Sequence, residues 1–432
     1  MKNQSNNVLK TQLENGLSIL LKEIHTAPLI SQWIWYRVGS RDEVPGKTGI
    51  SHFVEHIQFK GTPKYPLKVL DHAISRDGGI WNAMTYLDWT TYFETMPANK
   101  IDLSLELEVD RMVNSQFSEE EIESERTVIL SEREGNENEP TFRLSEAVQK
   151  ASFLSHPYQH EVVGEMEDIK NISRDDLYQH YRQNYRPGNA ILAIAGDFDA
   201  KDMIHKLNRL YANVDSGPAH KHMITKEEPL EKETRVVIKG PGETTFLDIS
   251  YRAPMAVQDE FFILTVLDSI LSGPSSLNMF GGGSISNKTS RLYQRLVEKD
   301  LAVSVSGGLA ATIDPYLFGV SATIHPDHSA EESIQVIDDE VHRLQEDKVS
   351  QKEIQRAVKQ AKALFSYGSE NITNQAFWMG YANMFADYDW FVNYIQRLEQ
   401  VSAEDIQQAA CEYLQPSRRV VGIYQPIQEG RS

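Results

Sequence analysis

Two histidines and a glutamate in the order His-x-x-Glu-His, at His52, Glu55 and His56, are the residues here whose types and spacing state a chemistry. Read as a helix turning about 100° per residue, Gly49 to Gly61 puts Ile50, Phe53, Val54 and Ile57 on one face. His52, Glu55, His56 and Phe59 fall on the opposite face. Two imidazoles one turn apart can close on a single ion, and the carboxylate between them can reach a water on that ion without binding it. This is the geometry of a zinc site with its own general base, in the inverted order of one class of zinc peptidases. Short patterns of this kind also arise by chance on solvated helix faces, so the metal reading needs a third protein ligand.

A third ligand is available downstream. Ser118-Glu119-Glu120-Glu121 is a capping-box start for a helix over 118–135. Ile122, Glu125, Val128, Ile129 and Glu132 are expected to form one seam of that helix, which places two carboxylates on a face that should be buried. An unpaired buried carboxylate costs roughly several kcal/mol, and such groups are paired or bound to metal. Glu132 is the natural third ligand. Glu125, two turns earlier, is placed to hydrogen-bond a ligand or the water. The alternative is that both carboxylates pair with Arg or Lys.

The surrounding elements can be read from local signals. Segment 8–38 reads as strand, turn, strand around Asn15-Gly16, and the His52 helix follows a polar loop. A helix over 66–77 stops at Gly78-Gly79; residues 80–86 and 90–96 then flank Leu87-Asp88-Trp89 as a hairpin. A helix over 99–115 precedes the Ser118 helix. Later come a helix from Ser173, the strand Ala190 to Gly196 and a helix after Asp199. His156 and His160 have ligand-like spacing, but Pro157 breaks a helix there and favours a loop role.

The chain of 432 residues is long enough for two domains. The expected division is 1–222, a linker at 223–233, and 234–432. The second half repeats the first. Ser350-Gln351-Lys352-Glu353 restates the Ser118 capping box, and Ser402 with Pro416 matches Ser173 with Pro187. On that alignment Ala357 and Leu364 stand opposite Glu125 and Glu132, and no ligand pair appears around Ser290 to Gln294. The repeat keeps the fold and carries no second metal site.

A formal net charge of −19 argues against a nucleic-acid partner. It suits basic or neutral peptides, or simply keeps the protein dissolved. No apolar run approaches membrane-spanning length, so no membrane partner is expected. The lone Cys411 and an N-terminus without a signal pattern lead to an expectation of cytoplasmic residence.

The sequence resembles the pitrilysin/insulysin family of zinc metallopeptidases, in the short branch that includes the mitochondrial processing peptidase. The resemblance covers nearly the whole chain. It rests on His52-Phe53-Val54-Glu55-His56, Phe59-Lys60-Gly61-Thr62, Asn82-Ala83-Met84-Thr85, Glu125-Arg126-x-Val128-Ile129-Leu130-x-Glu132, His156-Pro157-Tyr158, Gly196-Asp197 and Ser290-Arg291-Leu292-Tyr293-Gln294. It implies an α+β fold of two homologous domains, each an antiparallel sheet with helices packed on it. It implies one zinc ion per chain, held by His52, His56 and Glu132, with Glu55 as catalytic base and Glu125 in support. Peptides would add as a strand at an edge formed by Gly79, Asn82, Ala83 and Thr85; without the resemblance, that edge reads as an ordinary covered strand.

Active members also supply an Arg and a Tyr from the second domain. Here, with a one-residue gap near Asp300, those positions are Val297 and Val303. The chain therefore resembles the zinc-bearing subunit of a heterodimer, whose homologous partner supplies the Arg/Tyr pair and helps enclose a chamber. A homodimer relying on Arg291 or Arg295 is a weaker reading, and a non-catalytic assembly subunit is the alternative from another class. The loop Gly281-Gly282-Gly283 would gate the chamber or be a plain insertion.

Overall fold

A computed structural model describes residues 8–217, 227–277 and 285–427. The Gly281–Gly283 loop and the start of the expected linker lie outside these residues. The chain opens with β1 (Leu9–Gln12), β2 (Ser18–Glu23) and β3 (Leu29–Tyr36), followed by helices α1 (Ile50–Gln58) and α2 (Leu67–Arg76). The hairpin β4 (Ile80–Thr85) and β5 (Thr90–Pro97) leads into α3 (Ile101–Asn114), α4 (Glu119–Glu137) and α5 (Pro140–Ser152). Next come α6 (Met166–Asn171), α7 (Arg174–Asn184), β6 (Ala190–Gly196) and α8 (Ala200–Tyr211).

The second half runs β7 (Thr234–Gly240), β8 (Phe246–Arg252), α9 (Asp259–Leu271), a π-helical turn at Tyr293–Val297, β9 (Ala302–Leu309) and β10 (Leu317–Ile324). It ends with α10 (Ala330–Glu346), α11 (Gln351–Tyr367), α12 (Ile372–Phe385), α13 (Tyr388–Gln400), α14 (Ala403–Tyr413) and β11 (Arg419–Pro426).

The two sheets share one topology. The first has the order β1-β2-β6-β3-β5-β4 and the second β7-β11-β8-β10-β9, so β7 stands for β2, β11 for β6 and β9 for β4. This is the α+β repeat the sequence implies, with two differences. Segment 8–38 holds three strands instead of two. Each sheet also contains one parallel pair, β2 with β6 and β7 with β11, among otherwise antiparallel neighbours. Parallel partners meet only through a long crossover, so no local turn signal marks them.

Element order also corrects the position of the second half's counterpart to the His52 helix. In that place, directly after β8, stands α9, and not the stretch around Ser290. Its Phe261, Phe262, Leu264, Val266 and Leu267 are all buried, which leaves no wet face for ligands.

The chain forms two compact units that do not follow the halves exactly. One contains the residues up to Arg133, those from His160 on through α8, and Ser369–Val392; the other contains Glu134–Gln159, the stretch ending at Gly368, and residues from Asn393 onward. Helix α12 therefore packs on β3 and β6 of the first sheet, and α5 on β8 and β11 of the second. Alternate residues of β3 serve different layers. Trp33 and Trp35 face Phe377 of α12 at 5.3 and 5.4 Å between ring centroids. Gln32, on the other face, donates to the Ser104 carbonyl of α3 at 3.0 Å. A Cβ on Gly380 would lie 1.9 Å from Trp35 Nε1, so α12 approaches β3 only because that residue is glycine.

Candidate metal centre

Helix α1 sorts its faces as its periodicity predicts. Ile50, Phe53, Val54 and Ile57 are buried, while His52, Glu55 and His56 are half-buried on the other side. Its start is fixed by two devices. Gly49 has φ 84°, and a Cβ there would lie 2.4 Å from the Val163 carbonyl oxygen. The buried Glu43 carboxylate accepts the N–H groups of Gly49 at 2.7 Å and Ser51 at 2.9 Å, satisfying donors that the first helical turn leaves free. Burial pushes the Glu43 carboxyl up to about 8, against the pull of those hydrogen bonds.

Helix α4 brings the third carboxylate. Its buried positions are Ile122, Glu125, Ile129 and Arg133, and Val128 is 47% exposed, contrary to the expected seam. At about 100° per residue Val128 lies about 120° from Ile122, too far to share its face. Glu132 sits at the rim of that face, with a side chain 44% exposed. Its Oε2 is 3.9 Å from His52 Nε2 and 3.8 Å from His56 Nε2. Among the described residues these three side chains are the only group of His, Cys, Asp and Glu arranged to hold a metal ion, with ligand atoms within 4.8 Å of one another. Two imidazole nitrogens and one carboxylate oxygen form the donor set that a hydrolytic zinc takes while keeping one position open. The residues fit the ion.

The surrounding contacts decide which atoms are offered. Glu125 Oε2 is 2.9 Å from His56 Nδ1. A carboxylate only accepts, so the proton lies on Nδ1 and the lone pair on Nε2 faces the cluster. The other Glu125 oxygen is ion-paired with Lys60. Burial raises the Glu125 carboxyl, but the hydrogen bonds from His56 and Lys60 outweigh it and hold the group below its ordinary range. Burial, then the neighbouring His56, pushes His52 down to about 3, so its imidazole is neutral at physiological pH. For His56, burial works downward, while the hydrogen bond to Glu125 and the nearby carboxylates raise it overall.

Glu55 stands beside the cluster without belonging to it. Thr85 Oγ1, at the end of β4, donates to Glu55 Oε2 at 2.6 Å. Burial raises the Glu55 carboxyl, with the Thr85 hydrogen bond pulling the other way. Thr85, expected as part of a peptide-binding edge, therefore has a direct contact with Glu55. Asn82 and Ala83 lie mid-strand on β4, an edge of the first sheet. Gly79 lies in the turn before that strand, and its N–H is already donated to the Ile74 carbonyl at 2.9 Å. His156 and His160 do not form a pair: His156 Nε2 is 3.1 Å from Asp314 Oδ2, and His160 Nε2 is 3.8 Å from Glu43 Oε2. The contacts of Lys60 with Glu125 and of Thr85 with Glu55 are the parts of the site not legible in the sequence. The proximity of Lys60 to Glu125 has no periodic signal, since the two are on separate elements.

Two family models match, "Insulinase (Peptidase family M16)" over residues 18–165 and "Peptidase M16 inactive domain" over residues 171–361. The chain belongs to peptidase family M16. The insulinase match contains His52, Glu55, His56, Glu125 and Glu132, and the inactive-domain match spans most of the half without ligands. Among M16 relatives, a protein of Arabidopsis thaliana named "Probable mitochondrial-processing peptidase subunit beta, mitochondrial" is 25% identical over 97% of this chain and 78% of its own length. The zinc protease PqqE of Helicobacter pylori is 26% identical over 96% of this chain and 92% of its own. The M16 fold is also that of a protease from Helicobacter pylori, with TM-score 0.90 and 24% identity over 97% of this chain and 99% of that one. A peptidase M16 inactive domain from Pseudomonas fluorescens superimposes with TM-score 0.87 and 17% identity over 98% of each chain.

Proposed function

We propose that the chain is the zinc-bearing subunit of a metalloendopeptidase that cleaves peptides or small unfolded proteins in a closed chamber, together with a homologous partner. One observation carries this reading: His52, His56 and Glu132 converge while Glu55 stands beside them, held by Thr85. Zinc in that cluster would supply a Lewis acid for the scissile carbonyl and the attacking water. Glu55 takes the proton of that water and later gives it to the leaving amine. The Thr85 hydroxyl occupies one oxygen of Glu55 and holds the carboxyl beside the cluster. Strand β4 offers its open edge, around Asn82 and Ala83, to an extended peptide through backbone hydrogen bonds.

The need for a partner is supported by the second half. Val297 is half-buried and Val303 is 58% exposed, where the resemblance places an Arg and a Tyr. Arg291 Nε is 2.9 Å from Glu353 Oε1 and Arg295 Nε is 3.2 Å from Glu340 Oε1, so both are engaged within the fold. This weakens the homodimer reading. The M16 relative from Arabidopsis thaliana is named as a subunit, which is in keeping with a partner. The match to a domain described as inactive favours a second reading, a non-catalytic assembly subunit, but that match lies outside the ligand-bearing segment. Cytoplasmic residence is part of the proposal, supported by the lone Cys411, and fractionation that finds the protein elsewhere would contradict it.

The test is complementation. The chain mixed with an M16 homologue carrying the Arg/Tyr pair is expected to cleave unfolded peptides that neither cleaves alone. Glu55→Gln in this chain should lower that activity by about 10²- to 10⁴-fold without loss of zinc. Cleavage by the Gln variant at the wild-type rate would remove Glu55 from the mechanism, and no gain on mixing would favour the assembly subunit.

A further inference from the structure

Lys60 lies just beyond the end of α1, and its backbone is held on both sides: its N–H donates to the Ile57 carbonyl at 2.9 Å, and the following Gly61 carbonyl accepts from Gln116 at 3.2 Å. Its side chain, 16% exposed, reaches α4, where Nζ pairs with Glu125 Oε1 and lies 3.9 Å from Glu121 Oε2. The two oxygens of Glu125 are thus divided, one to Lys60 and the other to His56 Nδ1. A largely buried ion pair contributes little net stability, because desolvation offsets most of the attraction. The location of this pair, one atom away from a ligand's hydrogen bond, suggests a different use.

We propose that Lys60 is a positioning residue of the metal centre. By occupying Oε1 it turns the Glu125 carboxylate so that Oε2 receives the His56 Nδ1–H, which holds the His56 ring with Nε2 toward His52 and Glu132. The assignment rests on the zinc reading above and extends it from the ligands and their first supporting carboxylate to the residue that orients the carboxylate. Carboxylates that orient a ligating imidazole are commonly worth about 10- to 100-fold in metal affinity, and Lys60 acts through one.

The measurement is zinc affinity, by competition with a chromogenic chelator, on the full chain. Lys60→Met is expected to weaken zinc binding by about 10- to 100-fold, while Lys60→Arg recovers most of it. In the double variant Lys60→Met with Glu125→Gln, zinc should bind no more weakly than in Glu125→Gln alone, because the two residues act in series. A merely structural lysine would give additive losses, and that result overturns the proposal. So does a Lys60→Met chain that binds zinc as tightly as wild type. Thermal melts of the metal-free variants check folding; should Lys60→Met fail to fold, Lys60→Gln, a neutral donor of similar reach, takes the same comparison. A wild-type chain that binds no zinc would overturn the metal reading itself, an outcome distinct from unaffected Lys60 variants.

Discussion

Glu55 is held at one oxygen by the Thr85 hydroxyl, a contact between the helix that carries the candidate metal ligands and the strand at the sheet edge. A hydrogen bond to a charged group is worth about 1.5–3 kcal/mol, so Thr85→Val should lower kcat about tenfold to a hundredfold in the complemented enzyme. Zinc content should not change, and Thr85→Ser should restore most of the rate. Steady-state kinetics with parallel metal analysis checks this; an unchanged kcat would show that the base needs no such support. His52, Glu55 and His56 were legible because one helix carries all three at fixed spacing. The contacts of Thr85 and Lys60 were not, because each bridges two elements and neither residue's type announces the contact.

At the scale of the element, α1 depends on a buried acid at its start. Glu43 is raised to about 8 by burial, whereas a carboxyl in an unfolded chain titrates near about 4.3. Between these values the folded chain holds a proton that the unfolded chain has lost. Stability from this group is therefore greatest at low pH, falls as pH rises from about 5 to 8, and levels off above. Denaturant midpoints measured across that range should show the decline in wild type and a flatter profile in Glu43→Gln. Parallel profiles would mean that Glu43 titrates normally in the fold. The capping box at Ser350 appears as read, and Ser173 and Ser402, matched in the sequence only by their spacing to a proline, start their helices with the same device, each hydroxyl accepting the N–H three residues on. The seam of α4 was misread at Val128, and Glu132 owes its exposure to the same geometry: it stands at the edge of the buried face, where a ligand can meet both histidines and remain open to substrate.

For the whole molecule, one fold is used twice and, among the described residues, the candidate ligand set appears once. The repeated sheet order preserves the architecture, while Ala357 and Leu364, both buried, fill the second unit where Glu125 and Glu132 stand in the first. The repeat was legible from the capping boxes at Ser118 and Ser350 and from the equal spacing of Ser173 to Pro187 and Ser402 to Pro416. The exchange of α5 and α12 between the units was not, because an apolar helix face specifies burial but not which sheet it covers. The site nevertheless lies within one unit, so its capacity for metal can be measured on this chain without a partner. The most direct measurement is elemental analysis of the purified chain after zinc loading and exhaustive dialysis, with His52→Ala alongside. One zinc per wild-type chain and none in the variant is the expected result; a wild-type chain that retains no zinc would overturn the metal reading.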